Sequence, residues 1–399
     1  MDITIKPALL QGAVRAIPSK SQAHRLLICA AFADRDTFLI CPDTNRDIEA
    51  TADCLRALGA QILRTETGYQ VSPVQTTPKV ATLNCCESGS TLRFMLPVVG
   101  ALGIDATFLM EARLPERPLS PLWEEMERMG CSLSRPTPAT LRCQGQLKGG
   151  TYQIRGNVSS QFITGLLFAA ALLEDTSRIE IIGKLESEPY VVMTQQTLKL
   201  FDIDSTGYQI KGGQKFHSPG TVTVEGDWSN GAFFLAANAL GSQIQLNGLN
   251  PLSPQGDRAA AHWLDALSQG HCTISAADIP DLVPILSVVA GQKFGAKFTE
   301  IQRLRLKETD RVATVCAMLH ALGITATATE DTLVVSPGTY HGCTIHAEND
   351  HRIAMSAAIA ATTATGPVTI LNADSVNKSY PHFWEEYRRL GGNYEQYIR

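Results

Sequence analysis

The sequence predicts an α/β (α+β) protein of two domains, and three observations support this. The chain has 399 residues, 44% of them hydrophobic, which is enough for large cores and more than one ordinary domain holds. An apolar helical pattern recurs six times, and an amphipathic helical pattern follows each copy. Strand patterns such as Thr221–Val224 and Thr332–Val335 lie between them. We therefore expect six copies of one α/β unit.

The apolar pattern has a polar start, and its spacing is nearly constant. The six starts lie 69, 70, 69, 52 and 69 residues apart. They are Ser21, Ser90, Ser160, Ser229, Asp281 and Asp350. A helix that is apolar nearly all round belongs in a core. We therefore predict two cores, each with a cluster of three buried helices covered by sheets.

The polar starts suggest anion binding. Ser, Asp and Asn-Asp are typical helix caps, and three parallel helices would present free N–H groups at one end. Lys20 and Arg25 stand at the first start, although cations there oppose the helix dipole. A bound anion would remove this conflict. Capping alone is the alternative, but it does not explain the basic residues.

Three further segments add positive charge to a chain of net charge -5. They are Arg113–Pro118, Lys307–Arg311 and the segment around Lys378. Each alone would be typical of a solvated surface patch. Arginine forks suit carboxylates and phosphates, and lysine acts as a point charge. Together they predict a small substrate with more than one negative charge.

Composition argues against several other classes. A sequence pI of about 6.0 disfavours a nucleic-acid binder. No apolar run reaches the roughly 18 residues that span a bilayer, and Met1–Pro7 alternates like a strand rather than a signal peptide. The ten cysteines form no CxxC, and the histidines lack ligand spacing. We expect a cytoplasmic protein with reduced thiols, no metal, and neither nucleic-acid nor membrane partners.

The motifs as a set resemble the 5-enolpyruvylshikimate-3-phosphate (EPSP) synthase family of enolpyruvyl transferases. They are Lys-Ser-x-x-x-Arg at 20–25, Ser-Ser-Gln at 159–161, Lys-Glu-Thr-Asp-Arg at 307–311 and Asn-Asp-His-Arg at 349–352. They stand in the family's order, and the resemblance runs from Lys20 to Lys378. It implies a two-domain inside-out α/β barrel of six βαβαββ units, three per domain, each domain with three buried parallel helices.

The resemblance also implies where the domains divide. The first would span 14–225 and carry the shikimate 3-phosphate side. The second would combine 1–13 with 226–399 and carry the phosphoenolpyruvate (PEP) and catalytic side. The chain would cross near Ala13–Ile17 and near Val224–Asp227, and the active site would lie in the interdomain cleft.

The implied activity is that of a 3-phosphoshikimate 1-carboxyvinyltransferase. The enolpyruvyl group of PEP passes to the 5-hydroxyl of shikimate 3-phosphate and phosphate is released, a step of chorismate and aromatic amino acid biosynthesis. This chemistry needs an acid–base pair and charge stabilisation, but neither a cofactor nor a metal. A monomer with these two small-molecule substrates is expected.

Residue roles follow from the matching positions. Asp281 would accept the hydroxyl proton, Lys307 would polarise the hydroxyl, and Glu308 would handle the proton at C3, with Lys20 touching both substrates. The shikimate 3-phosphate set is Lys20, Ser21, Arg25, Ser159, Ser160, Ser187, Tyr190, Asp281 and Lys307. The PEP set is Lys20, Gly89, Arg93, Arg117, Gln161, Arg311, Arg352 and Lys378. The alternatives are that Asp281 only caps a helix and that Glu308 only pairs with Lys307.

Two departures and two rival functions remain open. Many relatives have Asn in place of Glu87, where a carboxylate would repel phosphate, and often Asn in place of Arg303. One rival is the transferase acting on UDP-N-acetylglucosamine, which usually has a reactive Cys in a loop that here reads Arg113–Arg117 without one. The other is a non-catalytic anion-binding relative, against which the presence of Asp281, Lys307 and Glu308 argues.

Overall fold

The computed structural model describes residues 1–397 as twelve helices, twenty-one strands and short 3₁₀ segments. The helices are α1 (Lys20–Ala31), α2 (Arg46–Ala57), α3 (Gly89–Leu102), α4 (Leu122–Arg128), α5 (Ser160–Leu172), α6 (Glu188–Leu200), α7 (Trp228–Ala239), α8 (Ala260–Gln269), α9 (Val283–Gln292), α10 (Arg311–Ala321), α11 (His351–Ala361) and α12 (Phe383–Arg389). The strands are β1 (Asp2–Lys6), β2 (Gln11–Arg15), β3 (Thr37–Ile40), β4 (Gln61–Arg64), β5 (Gly68–Ser72), β6 (Val80–Asn84), β7 (Asp105–Leu109), β8 (Cys131–Ser134), β9 (Thr140–Gly145), β10 (Thr151–Arg155), β11 (Ser177–Ile182), β12 (Gln209–Ile210), β13 (Thr221–Thr223), β14 (Gln243–Asn247), β15 (Cys272–Ser275), β16 (Ala296–Thr299), β17 (Ala326–Ala328), β18 (Thr332–Val335), β19 (Cys343–His346), β20 (Val368–Leu371) and β21 (Asn393–Tyr397). The 3₁₀ segments are Leu114–Glu116, Thr206–Tyr208, Gly256–Ala259, Gln302–Leu306 and Ala373–Lys378.

The chain folds into two compact units. One is continuous, Pro18–Glu225, and we call it the continuous unit. The other combines Met1–Ile17 with Gly226–Arg399, and we call it the discontinuous unit. Each unit has its own hydrophobic core and three sheets.

The three sheets of the continuous unit share one topology. In the sheet β6-β7-β9-β8, β6 runs parallel to β7, and β9 pairs antiparallel with both β7 and β8. The sheet β13-β3-β5-β4 has the same order, although its first strand comes from the end of the unit. The third sheet, β10-β11-β12, has only one antiparallel strand after the parallel pair. A parallel pair requires a crossover. The apolar helix α3 supplies it for β6 and β7, and α5 supplies it for β10 and β11.

The discontinuous unit repeats this topology with one shortened copy. Sheets β15-β16-β18-β17 and β19-β20-β1-β21 have the full order of four strands. In the second of these sheets the third position is occupied by β1, from the N-terminus of the chain. The remaining sheet consists of β2 and β14 alone. After α8 the chain passes directly into β15, the first strand of the next sheet. The missing strand pair explains the single short spacing of 52 residues between helix starts.

The six apolar segments form the buried helices α1, α3, α5, α7, α9 and α11. In α5 every residue from Phe162 to Ala171 is buried, and α11 is buried along its whole length. Helices such as α2 and α8 instead alternate between buried and exposed residues, as a helix at the edge of a core does. The prediction of two clusters of three buried helices is therefore confirmed.

The caps of the buried helices lie at or just before the predicted starts, with one exception. Five side chains accept a bond from a backbone N–H of their helix: Ser19, Ser88, Ser159, Asp227 and Asp350. The prediction that Asp281 caps a helix is wrong. The cap position of α9 is Leu282, which makes no side-chain capping bond. The carboxylate of Asp281 is bound by basic side chains instead.

Helices α3 and α5 approach each other closely at Gly165. A Cβ atom at this position would lie 2.2 Å from the carbonyl oxygen of Arg93 and 3.1 Å from Cγ of Pro97. Real Cβ atoms essentially never come so close to a backbone oxygen. Glycine is therefore required here to keep the second turns of the two helices together.

None of the helices in residues 1–397 combines the length and the apolar character that crossing a membrane requires.

The Gly165→Ala variant should be strongly destabilised. Its methyl group would have to push α3 away from α5, and overpacking of this kind costs about 1–3 kcal/mol or more. Urea unfolding followed by circular dichroism measures the loss. Gly270→Ala is the matched control, because no atom lies within 4 Å of its added Cβ and its backbone is extended. Equal stability of the two variants would contradict the close approach.

Candidate active site

The first turns of α1, α3 and α5 contact one another in the continuous unit. The amide of Gln161 donates to the Ser90 hydroxyl at 2.8 Å, which joins α5 to α3. Nη2 of Arg25 lies 3.4 Å from the Thr164 hydroxyl, which joins α1 to α5. These contacts link residues near the same end of each helix, so the three helices run in one direction with their N-termini together.

Arg25 is a buried cation, and no carboxylate of residues 1–397 pairs with it. Its guanidinium donates to Thr194 Oγ1 at 2.8 Å and to the carbonyl oxygens of Ser21 and Tyr190 at 2.6 and 2.9 Å. No ion pair of Arg25 exists among the described residues. Burial lowers the pKa of Arg25 to about 10, because no nearby carboxylate offsets the loss of water. Such a charge attracts an anion to the start of α1.

Lys20 pairs with a residue that sequence reasoning missed. Its ammonium lies 2.8 Å from Oδ2 of Asp47 in the first turn of α2. Both side chains are mostly buried. The Thr91 hydroxyl lies 3.4 Å from the Asp47 carbonyl oxygen, which connects this pair to α3. The pair holds the ammonium of Lys20 at the junction of three helices.

Near Lys20, a row of polar side chains joined by hydrogen bonds is buried between α1, α2 and α3. Nδ1 of His24 lies 2.7 Å from the Thr51 hydroxyl, which lies 2.7 Å from that of Thr91. Burial lowers the pKa of His24 well below its ordinary value, and the charges of Lys20 and Arg25 add to the effect. The imidazole is therefore neutral and adds no charge to the cluster.

The start of α3 carries Arg117 directly over its backbone. A Cβ atom on Gly89 would lie 2.6 Å from Nη1 of Arg117, so glycine allows the guanidinium to lie there. Arg93 is buried, and it donates to Oε1 of Gln161 at 2.7 Å and to the Pro118 carbonyl at 3.0 Å. Arg93 therefore holds Gln161 and the loop that carries Arg117.

Three serine residues and a tyrosine of the predicted set lie at the starts of α5 and α6. Ser159 is the cap of α5 and accepts a bond from the N–H of Gln161 at 3.3 Å. Ser160 is the first residue of α5 and is buried. Ser187 precedes α6 in the left-handed backbone region, at φ 55°. Tyr190 lies in the first turn of α6, and its carbonyl holds Arg25. The structure thus brings α6 to the same cluster as α1.

Arg311 is the centre of the second cluster, in the discontinuous unit. Its side chain is 1% exposed and binds three carboxylates. Nε lies 2.9 Å from Oδ2 of Asp350, Nη1 lies 2.7 Å from Oδ1 of Asp281, and Nη2 lies 2.5 Å from Oε2 of Glu308. Burial lowers the pKa of Arg311, but the three carboxylates outweigh it and raise the pKa above its ordinary value.

Asp281 is held among three cations. Besides Arg311, Arg352 lies 3.3 Å from its Oδ2 and Lys307 lies 3.4 Å from its Oδ1. Burial lowers the pKa of Lys307 to about 8, although Asp281 opposes the shift. The predicted acid–base groups Asp281, Lys307 and Glu308 therefore lie together, and Arg311 joins them. Glu308 pairs with Arg311 rather than with Lys307 in the contacts described.

Arg352 lies in the first turn of α11, and Lys378 ends the 3₁₀ segment that contacts the start of this helix. Arg352 is buried, and its Nη1 lies 3.4 Å from the Ser229 carbonyl in the first turn of α7. Burial lowers the pKa of Arg352, but Asp281 and Asp257 outweigh it and raise the pKa. The ammonium of Lys378 donates to the Asn349 carbonyl at 2.7 Å. The starts of α7, α9 and α11 therefore meet, as those of α1, α3 and α5 do.

The two departures lie beside these clusters. Glu87 is half-buried and directly precedes Ser88, the cap of α3. Arg303 is half-buried, and its guanidinium lies 3.5 Å from the Ala277 carbonyl. In the part of the chain that the structure describes, no group of three or more His, Cys, Asp or Glu side chains is arranged to hold a metal ion.

Sequence reasoning missed three acidic residues of these clusters: Asp47, Asp257 and Asp350 as an ion-pair partner. Two of them have an ordinary local explanation. Asp47 is an acid in the first turn of a helix, and Asp350 is a helix cap. Only the excess of cations at the helix starts signals that carboxylates must lie nearby.

The Arg311→Lys variant should lose about 3 kcal/mol of unfolding free energy. One ammonium cannot bridge three carboxylates, and breaking a buried ion pair costs about 3–5 kcal/mol. Arg305→Lys is the matched control. Arg305 is 35% exposed and pairs with Asp310 at 3.1 Å, so its loss should stay within about 0.5 kcal/mol. Chemical denaturation measures both, and a similar loss in both variants would contradict the role of Arg311.

Comparison with known proteins identifies a family. The family model described as EPSP synthase (3-phosphoshikimate 1-carboxyvinyltransferase) matches residues 5–387. The 3-phosphoshikimate 1-carboxyvinyltransferase of Clostridium kluyveri is 37% identical and covers 99% of this chain and 98% of that protein. The protein of the same name from Clostridium perfringens (strain 13 / Type A) is 36% identical and covers 98% of each chain.

Solved structures with the same fold exist. EPSP synthase from Acinetobacter baumannii superposes with a TM-score of 0.78 at 22% identity, covering 99% of this chain and all of that chain. The enolpyruvyl transferase NikO from Streptomyces tendae has a TM-score of 0.74 at 18% identity, covering 99% and 98%. These likenesses confirm the predicted two-domain α/β fold class, and the sequence matches establish that the chain belongs to the EPSP synthase family.

Proposed function

We propose that the chain is a 3-phosphoshikimate 1-carboxyvinyltransferase, which transfers the enolpyruvyl group of PEP to the 5-hydroxyl of shikimate 3-phosphate and releases phosphate. One observation carries the proposal beyond family membership. Asp281, Lys307 and Glu308 are grouped by the guanidinium of Arg311, so that two carboxylates and an amine are available beside anion-binding side chains. This is the set of groups that proton transfer next to a polyanion requires.

Shikimate 3-phosphate is the proposed ligand of the continuous unit's cluster. Arg25 supplies a charge that no carboxylate in the described part of the chain neutralises, and Ser159 and Ser160 add hydroxyl groups at the start of α5. Ser21, Ser187 and Tyr190 belong to the same set, and Lys20 is held beside it by Asp47. A helix start with a buried guanidinium favours a phosphate strongly.

PEP is the proposed ligand of the arginine side chains. Arg117 over Gly89 and Gln161 held by Arg93 are its ligands from the continuous unit. Those from the discontinuous unit are Arg311, Arg352 and Lys378. An anion on Arg311 and Arg352 competes with Asp281 for the same guanidinium groups. PEP binding would therefore release the Asp281 carboxylate from part of its ion pairing.

The proton transfers are assigned to the group around Arg311. Asp281 accepts the proton of the attacking 5-hydroxyl, and Lys307 polarises that hydroxyl as a cation. Glu308 exchanges the proton at C3 of PEP. In its protonated form it donates to C3 as the 5-hydroxyl oxygen bonds to C2, and the resulting carboxylate removes a C3 proton as the C2–O bond breaks and phosphate leaves. Arg311 fixes both carboxylates, because it binds each of them within 2.7 Å.

The two rival functions have weaker support. The sequence relatives are 3-phosphoshikimate 1-carboxyvinyltransferases and offer no support for UDP-N-acetylglucosamine as acceptor. A non-catalytic relative would have no use for Asp281, Lys307 and Glu308 in one ion-paired group. We further propose a monomeric, cytoplasmic enzyme with neither nucleic-acid nor membrane partners. The acidic net charge of -5 supports the part of this proposal that concerns nucleic acid.

Phosphate release tests the reaction directly. Purified protein with PEP should release inorganic phosphate when shikimate 3-phosphate is present and should not do so with UDP-N-acetylglucosamine. A coupled phosphate assay measures the initial rate. Absence of phosphate at every shikimate 3-phosphate concentration would exclude the proposed activity, and release with the nucleotide sugar would favour the rival.

The pH profile tests the role of Lys307. Burial lowers the pKa of Lys307 to about 8, so this side chain is charged below that pH and loses its proton as the pH rises through it. The kcat/KM for shikimate 3-phosphate should therefore fall about tenfold per pH unit above about 8. In Lys307→Arg this alkaline decline should disappear below pH 10, because a guanidinium keeps its proton.

Lys297→Arg provides the control for that profile. Lys297 is exposed on β16, away from the ion-paired group, and the variant should keep the wild-type alkaline decline. If Lys307→Arg also kept the decline at the same pH, another group would be responsible for it.

A further inference from the structure

Asp257 is a completely buried carboxyl group that the proposed reaction does not use. It lies in the 3₁₀ segment before α8, and one of its oxygens accepts a hydrogen bond from the Ser229 hydroxyl. Its other oxygen, Oδ1, is buried without a hydrogen-bond partner among residues 1–397. No basic side chain there lies within ion-pair distance of Asp257. A buried carboxylate in such surroundings is costly.

The segment that carries Asp257 clamps the first turn of α7. Oε1 of Gln255 accepts from the N–H of Trp228 at 3.0 Å, and its amide donates to the Gly226 carbonyl at 2.9 Å. Asp257 adds the bond to Ser229. The carbonyl of Ser229 in turn lies 3.4 Å from Nη1 of Arg352. Asp257 thus acts on Arg352 through the residue that both contact.

The charges facing Asp257 come from the start of each buried helix in this unit. Asp227 stands at the start of α7, Asp281 before α9 and Arg352 in α11. Burial raises the pKa of Asp257 to about 6, and Asp281 and Asp227 raise it too, while Arg352 and the Ser229 hydrogen bond oppose this. Arg352 is therefore the nearby cation that favours the charged form.

We propose that Asp257 is a positioning residue for the Arg352 guanidinium and that it takes up a proton when an anion binds there. The proposal rests on the proposed function in that PEP is the anion. Once Arg352 also interacts with PEP, its positive charge stabilises the Asp257 carboxylate less. Asp257 then takes up a proton from the solvent. The neutral group still accepts the Ser229 hydrogen bond and leaves Arg352 in place.

The sign of the pH effect follows from this linkage. At pH 5.5 Asp257 already carries its proton, so PEP binding gains nothing from further uptake. At pH 8 the free carboxyl group of Asp257 is ionised. PEP must then bind near this negative charge, or Asp257 must first take up a proton that is scarce at this pH, and either requirement weakens PEP binding. Asp257→Asn imitates the protonated carboxyl group and should remove this part of the pH dependence.

The measurement is the stabilisation of the protein by PEP in thermal unfolding at pH 5.5 and pH 8, which gives apparent affinities. Wild type and Asp257→Asn should bind PEP alike at pH 5.5, whereas the variant should bind on the order of tenfold more tightly at pH 8. The ionisation of PEP itself is common to both proteins. Ser229→Ala, which removes the donor that stabilises the carboxylate, should move the wild-type pH dependence to higher pH.

Asp265→Asn is the matched control, because Asp265 is exposed on α8 and pairs only with Gln269 in the described contacts. It should behave as wild type. Equal pH dependence of PEP binding in wild type and Asp257→Asn would overturn the inference, as would a lack of stabilisation by PEP at both pH values. If the two proteins differ as expected but release no phosphate with shikimate 3-phosphate, the inference stands and the proposed function fails.

Discussion

The structure depends on one constraint, the burial of helices that are apolar on nearly every side. Such a helix cannot lie at a surface, so α1, α3 and α5 must pack together, as must α7, α9 and α11. The sheets cover each cluster, and every sheet contains one parallel strand pair. Four of these pairs are joined through a buried helix, namely α3, α5, α9 or α11. Because the helices of a cluster share one direction, their polar first turns meet at one end. Most of the proposed binding residues stand in or next to these first turns.

The two clusters stabilise a buried guanidinium group in different ways. In the continuous unit, Arg25 is bound by hydroxyl and carbonyl oxygens, so its charge remains available to an anion. In the discontinuous unit, Arg311 is already neutralised by Asp281, Glu308 and Asp350. An anion reaching Arg25 completes a charge pair. An anion reaching Arg311 must exchange places with a carboxylate, which couples its binding to the basicity of that carboxylate.

The sequence predicted the fold well because helical burial is a local property. Ser88 and Asp350 stand next to apolar runs at regular spacing, and both are caps. Contacts between segments that are distant in the chain could not be predicted in this way. Nothing near Asp47 indicates that it pairs with Lys20, since an acid in the first turn stabilises any helix. Asp281 resembled a cap for the same reason, and only the fold brings three cations to it.

Pairing between strands that are far apart in the chain explains where the two units divide. The strand β13, near the end of the continuous unit, starts the sheet that contains β3. The strand β2, near the N-terminus, starts the sheet of β14, while β1 completes that of β20. Each crossing therefore follows a strand that is already paired, between Ile17 and Pro18 and between Glu225 and Gly226. Directly after each crossing the chain enters α1 or α7. Lys20 and Ser229 therefore lie within a few residues of the two crossings.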